Sequence, residues 1–144
     1  MNYFNNDPCV SEETAELLKE AGFDWPCASY YQNHIFHDYA TNRDRLVLHD
    51  CNHDPDYMGQ CSAPTLATAQ QWILETYHFH VTIFSMSQES WMYRVTVPHQ
   101  DLSKSLLYGE DYYTYQEALD GAINESLKLV LKKKITLKTD KNEN

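Results

Sequence analysis

Apolar and polar positions are most regularly spaced between residues 64 and 97, PTLATAQQWILETYHFHVTIFSMSQESWMYRVTV. Leu66, Ala69, Ile73 and Tyr77 recur at three- and four-residue intervals, with Trp72 on the shoulder of the stripe. That spacing predicts an amphipathic helix opening at Pro64-Thr65. The period then falls to two. Phe79, Val81 and Ile83 alternate with His80, Thr82 and Phe84, and Trp91, Tyr93, Val95 and Val97 alternate with Met92, Arg94 and Thr96. Two strands are expected, each with one apolar face. The connector Ser85–Ser90 lacks an Asn-Gly pair but is short and polar, so the strands should close as an antiparallel hairpin. Its inner face would be Phe79, Val81 and Ile83 against Tyr93, Val95 and Val97.

Two further helices flank this unit in sequence. Ser11 is a good N-cap, and Glu12 and Glu13 suit the positive end of a helix whose apolar edge is Leu17 and Leu18. Gly22 fits the left-handed position after the last turn, with Phe23 folding back as its apolar partner. Thr114-Tyr115-Gln116-Glu117 reads as a capping box. Leu119, Ala122, Ile123, Leu127, Val130 and Leu131 follow on one side of the third helix. Gly121 inside that helix costs up to about 1 kcal/mol relative to Ala; it marks either close packing or nothing.

The patterning is poorest in two places. Residues 27–61 hold an extended segment within Ala28–Tyr39 and a short strand at Arg45–His49, set among turn-formers such as Asn42, Asp50, Asn52, Asp54-Pro55 and Gly59. Residues 98–113 read as a loop rich in tyrosine and acid. From residue 65 onward the order is therefore helix–strand–strand–helix. Two strands rarely form a stable sheet alone, so the middle region must supply one or two more. The expected class is α+β: a small antiparallel sheet of three or four strands packed by about three helices. Residues 1–135 would form a single domain and residues 136–144 a polar, frayed tail.

Charge narrows the partners. Of the formal −10, residues 1–127 account for −14, with five Lys/Arg against nineteen Asp/Glu. Residues 128–144 carry six Lys against two acids, or +4. The acidic body repels phosphate backbones, which argues against general nucleic-acid binding. The terminal lysines suit the negative end of a helix. The first residues lack the basic and apolar regions of a secretory signal. No stretch approaches the roughly twenty apolar residues of a membrane span. Cys9, Cys27, Cys51 and Cys61 are accordingly read as reduced thiols of a cytoplasmic protein.

Few residues suggest chemistry. Four scattered glycines (Gly22, Gly59, Gly109, Gly121) leave no room for a phosphate loop or a dinucleotide fingerprint, and there is no G-x-S-x-G or H-E-x-x-H. The one metal candidate is His49-x-Cys51-x-His53. On an extended segment these side chains would share a face, and Cys61 could complete a tetrahedral zinc site. Cys27, His34 and His37 are further donors, and Cys27 with either histidine is the one conceivable nucleophilic pair. The outer face of the hairpin could bind a partner. Tyr108, Tyr112, Tyr113 and Tyr115 suit an interaction surface, because tyrosine offers large contact area at low entropic cost.

The stretches SAPTLATAQQWILETYHFHVTI (62–83), YTYQEALDGAINESLKLV (113–130) and LLKEAGFDWPCASYY (17–31) resemble a group of small uncharacterised proteins of Bacteroides-type genomes and their phages or mobile elements. The similarity covers about half of the chain. It implies a phage or mobile-element origin and carries no catalytic residues with it. The chain is thus expected to be a non-enzymatic accessory protein whose partner is another protein, a second copy of itself included. Two other readings stand beside it: a zinc-binding module, and an acidic decoy that mimics nucleic acid.

Overall fold

The computed structural model describes residues 7–38, 48–97 and 106–142, and of residue 57 and residues 134–142 the backbone alone. The class is α+β, as the patterning implies. Among the described residues three α-helices accompany two three-stranded antiparallel sheets, where the sequence suggests one sheet of three or four strands. The chain divides into two compact units, Met1–Trp72 and Ile73–Asn144.

The first unit opens with α1 (Glu12–Ala21). Its ends are built as the sequence predicts. Ser11 Oγ accepts from Thr14 N at 3.3 Å. Gly22 sits at φ 97°, and its N–H and that of Phe23 return to the carbonyls of the last turn. The fold-back delivers Phe23 into the core, where it meets the edge of Trp72 at 5.4 Å between centroids. Val10, Leu18, Leu66 and Ala69 complete the buried cluster.

Strands β1 (Ser29–Gln32), β2 (Ile35–Asp38) and β3 (Gln60–Ser62) form the first sheet in the order β2-β1-β3. β1 and β2 are joined by Asn33-His34, both with positive φ (52° and 65°). This is the primed two-residue turn whose twist matches the strands. Register pairs Ser29 with Asp38 and Tyr31 with Phe36, so these four side chains share one face. Tyr30 and His37 stack on the other, 5.2 Å apart. The short strand expected at Arg45–His49 is only partly described. Residues 45–47 lie outside the described residues, and His49 makes an isolated bridge to Cys27. Beyond His49 the chain turns through Cys51–His53, enters a single 3₁₀ turn at Pro55–Tyr57 and reaches β3.

Helix α2 (Leu66–Tyr77) starts at Thr65, whose hydroxyl accepts from Thr68 N at 3.2 Å. The second unit begins inside this helix. It holds β4 (His80–Ser87), β5 (Ser90–Thr96) and β6 (Leu107–Tyr112), ordered β4-β5-β6, with α3 (Tyr115–Asn142) packed on all three. The hairpin forms in the expected register: Val81 pairs with Val95 and Ile83 with Tyr93. Tyr93 and Val95 are buried beneath α3, with Leu119, Ala122, Ile123 and Leu127 opposite. Positive φ is absent from its turn residues, Gln88 and Glu89. A bulge between Ser85 and Ser87 supplies the extra twist an unprimed turn lacks. The 98–113 segment departs from expectation, because its second half is β6 and not loop. Alternation there is concealed by Gly109, which leaves room for the Tyr93 ring, and by a local irregularity that holds Asp111 at φ 68°.

Candidate functional site

The proposed zinc ligands are not gathered. Turning at Cys51–His53 replaces the extended geometry that would have aligned His49, Cys51 and His53. His49 Nε2 meets Asp54 Oδ2 at 2.8 Å, and His53 Nδ1 meets Asp50 Oδ2 at 2.9 Å. Buried Cys51 donates its S–H to Gln60 Oε1, and Cys61 lies on β3 opposite Tyr31. Among the described residues no three His, Cys, Asp or Glu side chains come together to hold a metal. Burial pushes the Cys61 thiol up to about 11.

This loop does have a structural use. Asn52 donates from Nδ2 to Phe23 O at 3.0 Å and accepts Ser62 N at 2.9 Å, while Ser62 Oγ accepts Cys51 N. Asp50 and Asp54 each cap the backbone two residues on, as Asx turns do. The polar residues of 50–54 therefore hold an irregular segment against Phe23, just past α1, and against β3.

The Cys–His pairing also dissolves. Cys27 is buried and donates to Trp25 O at 3.4 Å; burial, with Cys9 and Cys51 nearby, pushes its thiol up to about 12. At neutral pH its thiolate fraction is on the order of 10⁻⁵. His34, at the hairpin turn, contacts Glu12 at 2.5 Å, and His37 faces away from the Ser29 side of the sheet, on Tyr30.

One cleft of about 540 Å³ opens in the first unit. Ser29, Tyr31, Phe36 and Asp38 reach it from one face of the sheet, and Cys9, Cys27 and the Ala63–Thr65 segment line it with them. Ser29 donates its hydroxyl to Asp38 Oδ1 at 2.6 Å, and Tyr31 donates to Val10 O at 2.8 Å. Cys9 is raised by burial and by Asp38 and Asp7, so its thiol is neutral beside two carboxylates. Sequence patterning missed this site, since its members span residues 7 to 68 and no local motif joins them.

In the second unit the four tyrosines divide by role. Tyr112 is half-buried, its ring laid over Gly121 of α3 and 5.8 Å from Tyr93. Tyr108, Tyr113 and Tyr115 are 52%, 74% and 43% exposed. Tyr115 is braced edge-on against Trp91 at 5.7 Å. The capping box sets the corner: Thr114 Oγ1 accepts Glu117 N at 3.1 Å, and Glu117 Oε2 accepts Tyr113 N at 3.2 Å. Glu110 and Asp111 are exposed between the rings. Residues 107–127 contain five acids and no Lys or Arg. On the same outer side Arg94 pairs with Tyr108 across the strands and lies over the Phe84 ring at 5.7 Å.

Comparison of the chain with protein-family models, with curated proteins and with solved structures finds no match. No helix among the described residues is long and apolar enough to cross a membrane.

Proposed function

We propose that the protein is a non-enzymatic accessory protein that binds another protein through the strip from β6 into α3, and that the partner presents an arginine-bearing segment there. The observation that carries this reading is the alternation of exposed rings and carboxylates, Tyr108, Glu110, Asp111, Tyr113 and Tyr115, on a strand-to-helix corner tied by the capping box. Guanidinium groups stack on aromatic faces and pair with carboxylates. Both partners of such a contact are present here in quantity, and the −10 charge of the chain steers basic partners toward it.

The test is fluorescence anisotropy of a labelled arginine-rich peptide titrated with the full chain. A lysine-rich peptide of equal length and charge serves as control. Binding of the arginine peptide should be tighter, should weaken with salt, and should drop by about tenfold in Tyr108→Ser/Tyr113→Ser, the loss of one or two aromatic contacts. Equal affinity for the two peptides, or an unaltered affinity in the double variant, would refute it.

A further inference from the structure

The cleft of the first unit has a chemistry that the tyrosine strip lacks. Its volume, about 540 Å³, is in the range of sites that hold small organic ligands. Among the described residues its charged groups are of one sign, Asp7 and Asp38, and no described Lys, Arg or His lines it. Both carboxylates line the cleft together with Cys9, and both disfavour its thiolate. Asp38 is held by the hydroxyl of Ser29, itself buried. Cys27, Ala63 and Pro64, also in the lining, are buried and uncharged. Phe36 stands 42% exposed beside Asp38's strand neighbours and edge-on to Tyr31.

Each ligand class meets this lining differently. An anion would be repelled by both carboxylates. A metal ion would need three or more good donors, and none are gathered among the described residues. A neutral apolar molecule would gain from the interior but would draw exposed carboxylates out of water without pairing them. A cation with an apolar body satisfies both parts of the site.

We propose that this cleft binds a primary alkylammonium group, with Asp7 and Asp38 receiving the ammonium and Cys27, Ala63 and Pro64 contacting the alkyl chain. Ammonium N–H groups donate to the carboxylates, and the Phe36 ring adds a cation–π face. Free amines and lysine side chains both carry this group.

The experiment titrates the full-length, ¹⁵N-labelled chain with pentylammonium, with neutral 1-pentanol, and with N-acetyl-lysine methylamide. Pentylammonium should shift the amide signals of Ser29, Asp38 and Thr65 saturably, and bind at least about tenfold tighter than pentanol, as charge-assisted hydrogen bonds require. Asp7→Asn/Asp38→Asn should erase that preference. Asp7→Asn alone, at an exposed position, should reduce it and guards against misfolding of the double variant. Tight binding of the blocked lysine would identify a protein side chain as the source of the ammonium, and its failure alongside pentylammonium binding would identify a free amine. Equal binding of pentanol, a preference that survives the double variant, or no saturable shift with either amine would overturn the proposal. The arginine-peptide measurement on Tyr108→Ser/Tyr113→Ser is independent of all these outcomes.

Discussion

Two glycines show how single residues constrain the second unit. A Cβ on Gly121 would lie 2.5 Å from Tyr112 Oη, and one on Gly109 would overlap the Tyr93 ring. Alanine in mid-helix is worth about 1 kcal/mol over glycine, whereas overpacking costs typically 1–3 kcal/mol. The clash at Gly121 should therefore win. Gly121→Ala is expected to lower stability by about 1 kcal/mol in urea unfolding, and adding Tyr112→Phe should recover part of it because the nearest atom is the hydroxyl. Gly109→Ala should cost more, since Tyr93 is buried and cannot swing away. The sequence raised Gly121 as either close packing or nothing, and the Tyr112 ring explains it. Buried thiols have their own signature. Folding lifts Cys27 from 9.0 to about 12, so between those values the unfolded chain releases a proton that the folded chain retains. Stability should be level below pH 9 and then decline by up to about 1.4 kcal/mol per pH unit for this group. Cys27→Ala should make the decline over pH 9–11 shallower in chemical-denaturation curves, leaving the share of the other raised thiols, Cys9 and Cys61.

Strands differ in how much they reveal of themselves. β4 and β5 are long enough for alternation to register, and their pairing follows the apolar face. β1 and β2 have four residues each, with aromatic rings on both faces, so no period can emerge from them. Their turn is also disguised, because Asn33-His34 uses histidine where glycine is the usual second residue. A left-handed conformation costs a non-glycine residue roughly 1–2 kcal/mol. The Glu12–His34 contact, on a histidine side chain 87% exposed, returns well under about 1 kcal/mol. His34→Gly should therefore raise the melting temperature by a few degrees in differential scanning calorimetry, and an unchanged or lower value would count against this account of the turn. At the start of α3 the capping box was legible and forms. Thr114→Ala should cost about 1 kcal/mol, measurable as a lowered urea midpoint.

For the molecule as a whole, helices and class could be read from periodicity because each depends on neighbours a few residues apart. The division of strands between two sheets could not, since it depends on which distant segments pair: β1 with β3 across 28 residues, β5 with β6 across a stretch lacking alternation. The cleft belongs to the same category. The candidate metal residues are not gathered in the structure. Once 51–53 turns, their histidines serve neighbouring aspartates. The charge balance is the one global property visible in composition alone. It predicts that affinity for a basic partner falls with ionic strength as Debye screening shortens. Repeating the arginine-peptide titration from low to high salt should weaken binding progressively, and a salt-independent affinity would mean that stacking alone carries the contact.

The four thiols differ enough in accessibility to serve as a built-in reporter. Cys27, Cys51 and Cys61 are buried, and Cys9 alone is half-exposed, on the wall of the cleft beside Asp38. An alkylating reagent applied to the native, unmutated chain would thus mark Cys9 first, at a rate set by access to that wall. Mass spectrometry of the labelled peptide becomes a footprint of occupancy. Any molecule seated between Asp7 and Asp38 would slow the labelling without a single engineered cysteine.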